Sequence, residues 1–318
     1  MKFLAGACVC LLAGLVAQTP RRTELVDGAV LLHDLQVLSA DDMEGRQADT
    51  PGGARARAYV ASRFKAAGLT PTGTSFEAPF TFMSGNRGGG APVERHGVNV
   101  IGAIKGTQRA DRYLVVSAHY DHLGAGNGQV YNGADDNASG TAALFAIATY
   151  FSAHRPAHSI IVVAFDAEES GRRGSRAFVQ QPPVDVTSIV ANVNLDMIGR
   201  DPNDKLFVVG TLLNPFLKPM LQAVIEKAPV KLLFGHDDPS QAGVEDWTRD
   251  SDHYSFQQAG VPAIYLGVED FDQHHKATDD YETMTYDFYI RATETSILVV
   301  KAFDDHLDEI AARGRGGK

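Results

Sequence analysis

Five places in the 318-residue sequence carry side chains that bind divalent metals, each at the end of an apolar run or at the start of a helical one. His119 and Asp121 stand in SAHYDHLG behind the run 112–117, and Glu168 and Glu169 stand in VVAFDAEES behind the run 159–165. Asp135 and Asp136 lie in ADDNASGT, Asp196 ends the run 189–195, and His274 and His275 open HHKATDD. His119, one aspartate of 135/136, one glutamate of 168/169, Asp196 and one histidine of 274/275 supply two imidazoles and three carboxylates. With no thiolate among them, this set suits zinc. Three carboxylates against two zinc ions leave a site of about +1 by formal counting. Two such metals sharing one carboxylate can activate a water and polarise a carbonyl together. Asp121, two residues beyond His119 on the same side of a strand, is placed to accept the second imidazole N–H and fix the tautomer. Whichever glutamate is not a ligand can take the proton of the water and pass it to a leaving amine.

Side chains so far apart in sequence can meet only if the fold gathers them, and strand ends in an open α/β sheet do so. Strands are expected over 76–82, 98–104, 112–117, 159–165, 189–195, 206–209, 230–234 and 261–266. Helices are expected over 24–39, 53–67 (closed by Gly68), 139–151, 172–180, 215–227, 287–311 and, capped by Ser251, up to Gln258. A glycine-rich loop (Gly124, Gly126, Gly128, Gly133) precedes the acidic stretch, and a polar loop over 235–246 is placed to border the site. This alternation predicts an α/β fold, one domain with a mixed, mostly parallel central sheet flanked by helices on both faces.

A hydrophobic content of 44% supports a sizeable core, and residues 1–17, with early Lys2 and then an apolar run, have the order of a secretory signal peptide. The catalytic domain is then residues 18–318, exported to the periplasm or the outside of the cell. Both cysteines, Cys8 and Cys10, fall in the signal, and neither has leucine three positions before it, so no lipid anchor is expected. A net charge of −10 argues against nucleic acid or an anionic membrane as the main partner, and no later run is long enough to span a bilayer. Residues 85–90 and 313–318 read as loop or disordered material. GxSxG and HExxH are absent, and the glycines of the 124–133 loop are spaced GxGxG rather than GxGxxG.

Taken together, SAHYDHLG, NGADDNASGT, FDAEESGRRGS, NLDMIGR, SDHYSF with AGVPAIYLG, and HHKATDD resemble the zinc-dependent aminopeptidases of the M28 type, in the same order and at compatible spacings. DDMEGRQADTPGG is also similar to bacterial members, so the resemblance covers nearly the whole mature chain. It implies that Asp136 bridges two zinc ions, that His119 and Asp196 complete one site, and that Glu169 and His275 complete the other. His275 heads the family's H-x-x-x-D pattern, which ends here at Asp279. Glu168 would be the general base and Asp121 the partner of His119, while Ser251, Asp252 and His253 match a stretch bordering the substrate pocket. The chain departs from its relatives at the oxyanion donor. Some have tyrosine where this chain has His274, and others have one just upstream of SDH, where it reads Trp247-Thr248-Arg249-Asp250. His274 is the first candidate donor and Tyr254 the second.

The resemblance implies hydrolysis at peptide or protein amino termini, with the free amine met by Glu168, Asp196 or the Asp237–Asp238 loop; nothing in the sequence sets the oligomeric state. Rival readings are a carboxypeptidase, a one-zinc glutaminyl cyclase, and a non-catalytic binding ectodomain. Asp135 reads as a helix N-cap. His33, His96, His154, His158 and His306 read as surface or satisfied side chains, and so do His122 and His236. Asn137-Ala138-Ser139 is a glycosylation sequon placed inside the proposed site.

Overall fold

The structure, a computed structural model, describes residues 22–85 and 91–314. The expected signal peptide, residues 1–17 with both cysteines, lies outside the described residues. The chain runs α1 (Gly28–Leu38), α2 (Pro51–Ala66), β1 (Thr70–Pro71), β2 (Glu77–Ser84), β3 (Val93–Ile104), β4 (Arg109–His119), the short pair β5 (Gly124–Gly126) and β6 (Gln129–Tyr131), α3 (Gly140–Ala153), β7 (His158–Phe165), α4 (Arg173–Gln180), β8 (Ile189–Leu195), β9 (Lys205–Val209), α5 (Lys218–Ile225), β10 (Lys231–Phe234), α6 (His253–Gln258), β11 (Ala263–Gly267), α7 (Tyr286–Asp305) and α8 (Leu307–Gly314).

Among the described residues, nine strands form one mixed sheet in the order β1-β3-β7-β4-β8-β11-β9-β10, with β2 beside β3. Its centre, β7-β4-β8-β11, is parallel, as is the β9–β10 pair; β1, β2 and β3 and the β9–β11 junction are antiparallel. Parallel strands covered on both faces read as continuous apolar runs. In β7, Ile160, Val162 and Ala164 face a core shared with α1, α2, α3 and α7, while Ile161, Val163 and Phe165 face Phe178 of α4 and Phe256 of α6. The strands flanking β4 are β7 on one side and β8 on the other, so β4 is the point where successive connections part to opposite faces. A crevice opens there at the carboxyl ends.

Local chemistry moves several expected boundaries. Helix α1 starts at Gly28, not 24, because the Asp27 side chain accepts from the Val30 amide at 3.3 Å as an N-cap, a bond worth about 1 kcal/mol. The last helix is two, broken at His306 (φ −111°), and α8 takes in Arg313, which the sequence left as disordered or loop material. The glycine-rich loop contains the β5–β6 hairpin, turned by Asn127 (φ 54°) and Gly128 (φ 76°), the two positive-φ positions of a type I′ turn. Gly45 (φ 63°) packs beneath it, where a Cβ would come within 2.4 Å of the Tyr131 carbonyl oxygen and 2.6 Å of that of Gly124. Ser251 is not the cap of α6: Asp252 occupies the N-cap position and makes no side-chain capping bond, and the Ser251 hydroxyl is used elsewhere.

Candidate metal centre

His119 ends β4, Asp196 follows β8, and Glu168 and Glu169 lie on the turn after β7, so three adjacent parallel strands deliver their chemistry to one crevice. Asp136 arrives from the turn before α3, and His275 from the loop after β11. The two oxygens of Asp136 look opposite ways. Oδ1 lies 3.4 Å from His119 Nε2, which is itself 3.2 Å from Asp196 Oδ1. Oδ2 lies 3.3 Å from His275 Nε2, which is 3.1 Å from Glu169 Oε2. The two imidazoles and three carboxylates expected from the sequence therefore come together as two half-sites around a shared aspartate.

The donor set fits zinc on its own geometry. Tetrahedral bonds of about 2.0 Å set neighbouring ligand atoms about 3.3 Å apart, the spacing found on both sides of Asp136. Asp136 Oδ2 is also buried and has no hydrogen-bond partner, which is costly for a carboxylate unless a cation meets it.

The two glutamates are driven apart. Burial pushes the Glu168 carboxyl well above the ordinary range; the His119 charge opposes this, and Asp252, Glu169 and Asp196 add to it. Burial acts on Glu169 in the same direction, but hydrogen bonds from His122 and His275 hold it well below that range. Neighbouring carboxyls separated in this way suit a proton carrier and a ligand respectively.

Behind the ligands lies a frame of buried charge. His119 Nδ1 meets the carbonyl oxygen of Asp121 at 3.1 Å, with the Asp121 carboxylate at 3.7 Å. That carboxylate accepts from the Glu168 amide at 2.9 Å and the Glu169 amide at 3.3 Å, so it also fixes the turn bearing both glutamates. Asp279 accepts from the amides of Asp135 and Asp136 at 2.9 and 3.0 Å and from Arg200 at 2.7 Å, and Arg200 also pairs with Asp270. Arg46, fully buried, donates to the carbonyls of Leu38, Tyr120, Asn132 and Gly133, tying the segments that carry His119 and Asp136 to each other. Ser251 donates to Asp196 Oδ2 at 2.5 Å and accepts from Asn194 at 2.8 Å.

Other expectations are corrected. Asp135 is no cap: it is buried and accepts from the Gly199 amide at 2.7 Å. Asn137 is buried, its side-chain amide donating to the Leu195 carbonyl, so the sequon faces inward. Asp252 and His253 do not line the cleft. Asp252 is buried, pushed up to about 7 by that burial against the charge of His119. His253, held down to about 3 by burial, is neutral and meets the Thr248 carbonyl at 3.0 Å while its ring stacks on Tyr265. Tyr254 lies against Arg172 and Arg249 outside the cleft, whereas His274 does line it, with Nε2 3.6 Å from Asp136 Oδ2. Asp237 is turned onto the Gly210 and Leu212 amides and Asp238 onto Ser240. His236 is buried and stacks on Trp247 at 3.5 Å. His122, expected as a surface or satisfied side chain, is buried with Nδ1 2.9 Å from Glu169 Oε1. The spacing that makes it visible is the one that marks Asp121: it follows one residue later on the same turn.

The cleft, about 290 Å³, has an apolar wall of Met197, Trp247, Tyr265, Val268 and Phe271 opposite the ligands, with Arg172, Glu245, Asp250 and Asp270 around it. The family model of peptidase family M28 matches residues 99–300. A probable glutamate carboxypeptidase of Arabidopsis thaliana is 31% identical over 59% of this chain and 27% of its own length, and a probable zinc metalloprotease of Pyrenophora tritici-repentis is 29% identical over 56% of this chain and 48% of its own. The chain thus spans about half or less of the length of these curated relatives. Among solved structures, a zinc aminopeptidase from Bacillus subtilis (TM-score 0.68, 17% identity, 88% of this chain and 96% of that one) shares the fold. So does a glutaminyl cyclase from Fimbriiglobus ruber (TM-score 0.67, 19% identity, 87% and 95%).

Proposed function

This chain belongs to peptidase family M28, a family of zinc metallopeptidases, and we propose that it is an aminopeptidase that holds two zinc ions and removes residues from peptide and protein amino termini. The observation that carries this reading is the charge of the cleft beyond the ligands. Asp270 is tied to Arg200, but Glu245 and Asp250 remain at the cleft. Burial pushes Asp250 up, with Arg172 opposing and Asp246 and Glu245 adding to the shift. Crowded carboxylates of this kind are relieved by an ammonium group. The guanidinium at the cleft, Arg172, is already engaged by the Arg249 carbonyl and the Tyr254 ring.

His119, Asp136 and Asp196 would hold one ion, and Asp136, Glu169 and His275 the other. When bound, zinc supplies a Lewis acid for the scissile carbonyl and lowers the pKa of water. Glu168, a carboxyl that lines the cleft and is raised by burial, takes the proton of the attacking water and returns it to the leaving amine. His274 donates to the developing oxyanion, and the Trp247–Phe271 wall receives the first side chain. We propose further that residues 18–318 form one catalytic domain exported by the signal-like residues 1–17.

Arg172, with the similarity to probable glutamate carboxypeptidases, favours carboxypeptidase action as the second reading. A matched peptide set decides between them: free, amino-terminally acetylated, and carboxyl-terminally amidated. Acetylation is expected to lower kcat/KM by about 100-fold or more, the loss of a charge met in a shaped site, with amidation nearly neutral. Equal cleavage of the acetylated peptide rejects the aminopeptidase reading, and dependence on the free carboxylate installs the alternative. Ring closure of an amino-terminal glutamine without hydrolysis would indicate a cyclase.

A further inference from the structure

Four imidazoles surround Asp136, and the family pattern accounts for two of them. His119 has the contacts of a ligand: Nε2 faces Asp136 and Asp196, and Nδ1 has the Asp121 carbonyl oxygen at 3.1 Å to receive its proton. A metal-bound imidazole nearly always donates its second N–H in this way. His122 shows the reverse. Its Nδ1 lies 2.9 Å from Glu169 Oε1, hydrogen-bond length and shorter than the spacing of two ligands on one zinc, and its Nε2 is buried with no partner at all. Were Nδ1 bound to metal, Nε2 would have to carry a buried proton with nothing to accept it. With the proton on Nδ1, Nε2 is only a lone pair.

The ring is also held in place. Gly133 (φ 55°) lies against it, so close that a Cβ there would come within 2.5 Å of His122 Cδ2. The His275 ring stands 6.0 Å away on another side.

We propose that His122 is a positioning residue for the zinc that Asp136, Glu169 and His275 would hold, the outer ion, the inner one being that of His119, Asp136 and Asp196. It donates Nδ1–H to Glu169 Oε1, occupies that oxygen, and leaves Oε2, 3.1 Å from His275 Nε2, as the single oxygen Glu169 offers to the ion. The inference rests on the two-zinc reading, and its test is zinc binding itself, without turnover.

Zinc affinity is measured on chelator-treated protein by competition with a zinc indicator, for wild type, His122→Ala and His122→Asn. The asparagine amide N–H₂ overlays the imidazole Nδ1–H, so it replaces the donor, while that nitrogen has no lone pair to give a metal. His122→Ala is expected to weaken the outer ion by about 10–100-fold and leave the inner one unchanged, the usual cost of losing a hydrogen bond to a ligand. His122→Asn is expected to recover affinity to within about threefold. The proposal is overturned if Asn loses as much as Ala, which would make His122 a ligand or a packing element, or if Ala binds both ions as wild type does. Wild-type protein that holds one ion rejects the two-zinc reading instead, and the same substitutions then judge His122 by the affinity for that ion.

Discussion

The two halves of the cluster are built differently. His119 and Asp196 rise from strands β4 and β8, paired through Ser117 and Asn194, and their side chains are 1% and 9% exposed. His275 comes from a loop, in a left-handed conformation (φ 59°), with its side chain 45% exposed. Both halves line the cleft, but the inner one is buried on adjacent sheet strands, while the outer one includes a half-exposed side chain on a loop. On the proposed two-zinc reading, the five candidate ligands would combine one firmly kept ion with one accessible ion, and the difference lies in what stands behind each side chain.

Deletion of ligands tests that asymmetry with the largest effects. Asp136→Ala removes the oxygen each half depends on, so zinc content after dialysis should approach none and kcat/KM should fall by about 10³-fold or more, roughly 4 kcal/mol of transition-state stabilisation. His275→Ala should retain the inner ion, leaving near one zinc per chain. His119→Ala should retain less. If metal analysis finds that His275→Ala empties the protein while His119→Ala keeps an ion, the two halves have been ranked the wrong way.

The same contrast marks what could be read from sequence. The candidate ligands were legible because His119, Glu168, Glu169 and Asp196 stand at the ends of apolar runs and Asp135 and Asp136 just before a helical one, and β7 and β8 were placed within a residue because a strand buried on both faces leaves an unbroken hydrophobic signature. The choice within each ambiguous pair came from family resemblance; in the structure His275 lies 3.3 Å from Asp136 and 3.1 Å from Glu169, and His274 stands beside them, 3.6 Å from Asp136. The frame behind was not legible. Arg46 lies in an ordinary polar turn and donates only to carbonyls, which leave no residue-type signal, and Asp279, Arg200 and Asp270 are charges whose pairing needs the fold. The β5–β6 hairpin was legible in Asn127-Gly128 and was masked by the glycines around it. Asp135 was misread as a cap, and the reading of His122 as surface or satisfied gave it no part in the cluster, because a polar residue beside a strong candidate looks like its neighbour's companion.

The pH dependence of metal binding gives an intermediate effect that probes both halves. In chelated protein, the Asp136 and Glu169 carboxylates facing its Nε2 push His275 up to about 10. His119 is also raised well above its usual value: burial acts against the shift, and the charge of Asp196 with the hydrogen bonds of Asp121 and Asp196 outweighs it. Each imidazole must lose a proton before it can bind a metal, so zinc affinity should rise by about tenfold per pH unit for each ion between pH 6 and 8. Calorimetric titration in two buffers of different ionisation enthalpy measures the proton released. Absence of proton release at the outer ion would mean that His275 is not held protonated by the two carboxylates.

The smallest effect compares two histidines shifted in opposite directions, His253 and His275, and turns on sign. His253 is buried and its folded pKa is depressed to about 3, against about 6.5 for an unfolded histidine. Between those values the unfolded chain binds the extra proton, so stability rises with pH and is complete above about 6.5. In zinc-free protein, wild type should therefore lose about 1–2 kcal/mol more than His253→Phe between pH 7 and 5, read from urea midpoints. The hydrogen bond to Thr248 that the variant lacks is missing at both pH values and cancels in the difference. His275 has the opposite shift. Its folded form holds the proton more tightly than the unfolded chain, so its contribution is complete below about 6.5 and is lost as pH rises toward 10. Comparison of wild type with His275→Ala over that upper range should show stability falling with pH, where the His253 pair shows no slope. Parallel slopes in the two experiments would mean that the two imidazoles are not shifted in opposite directions.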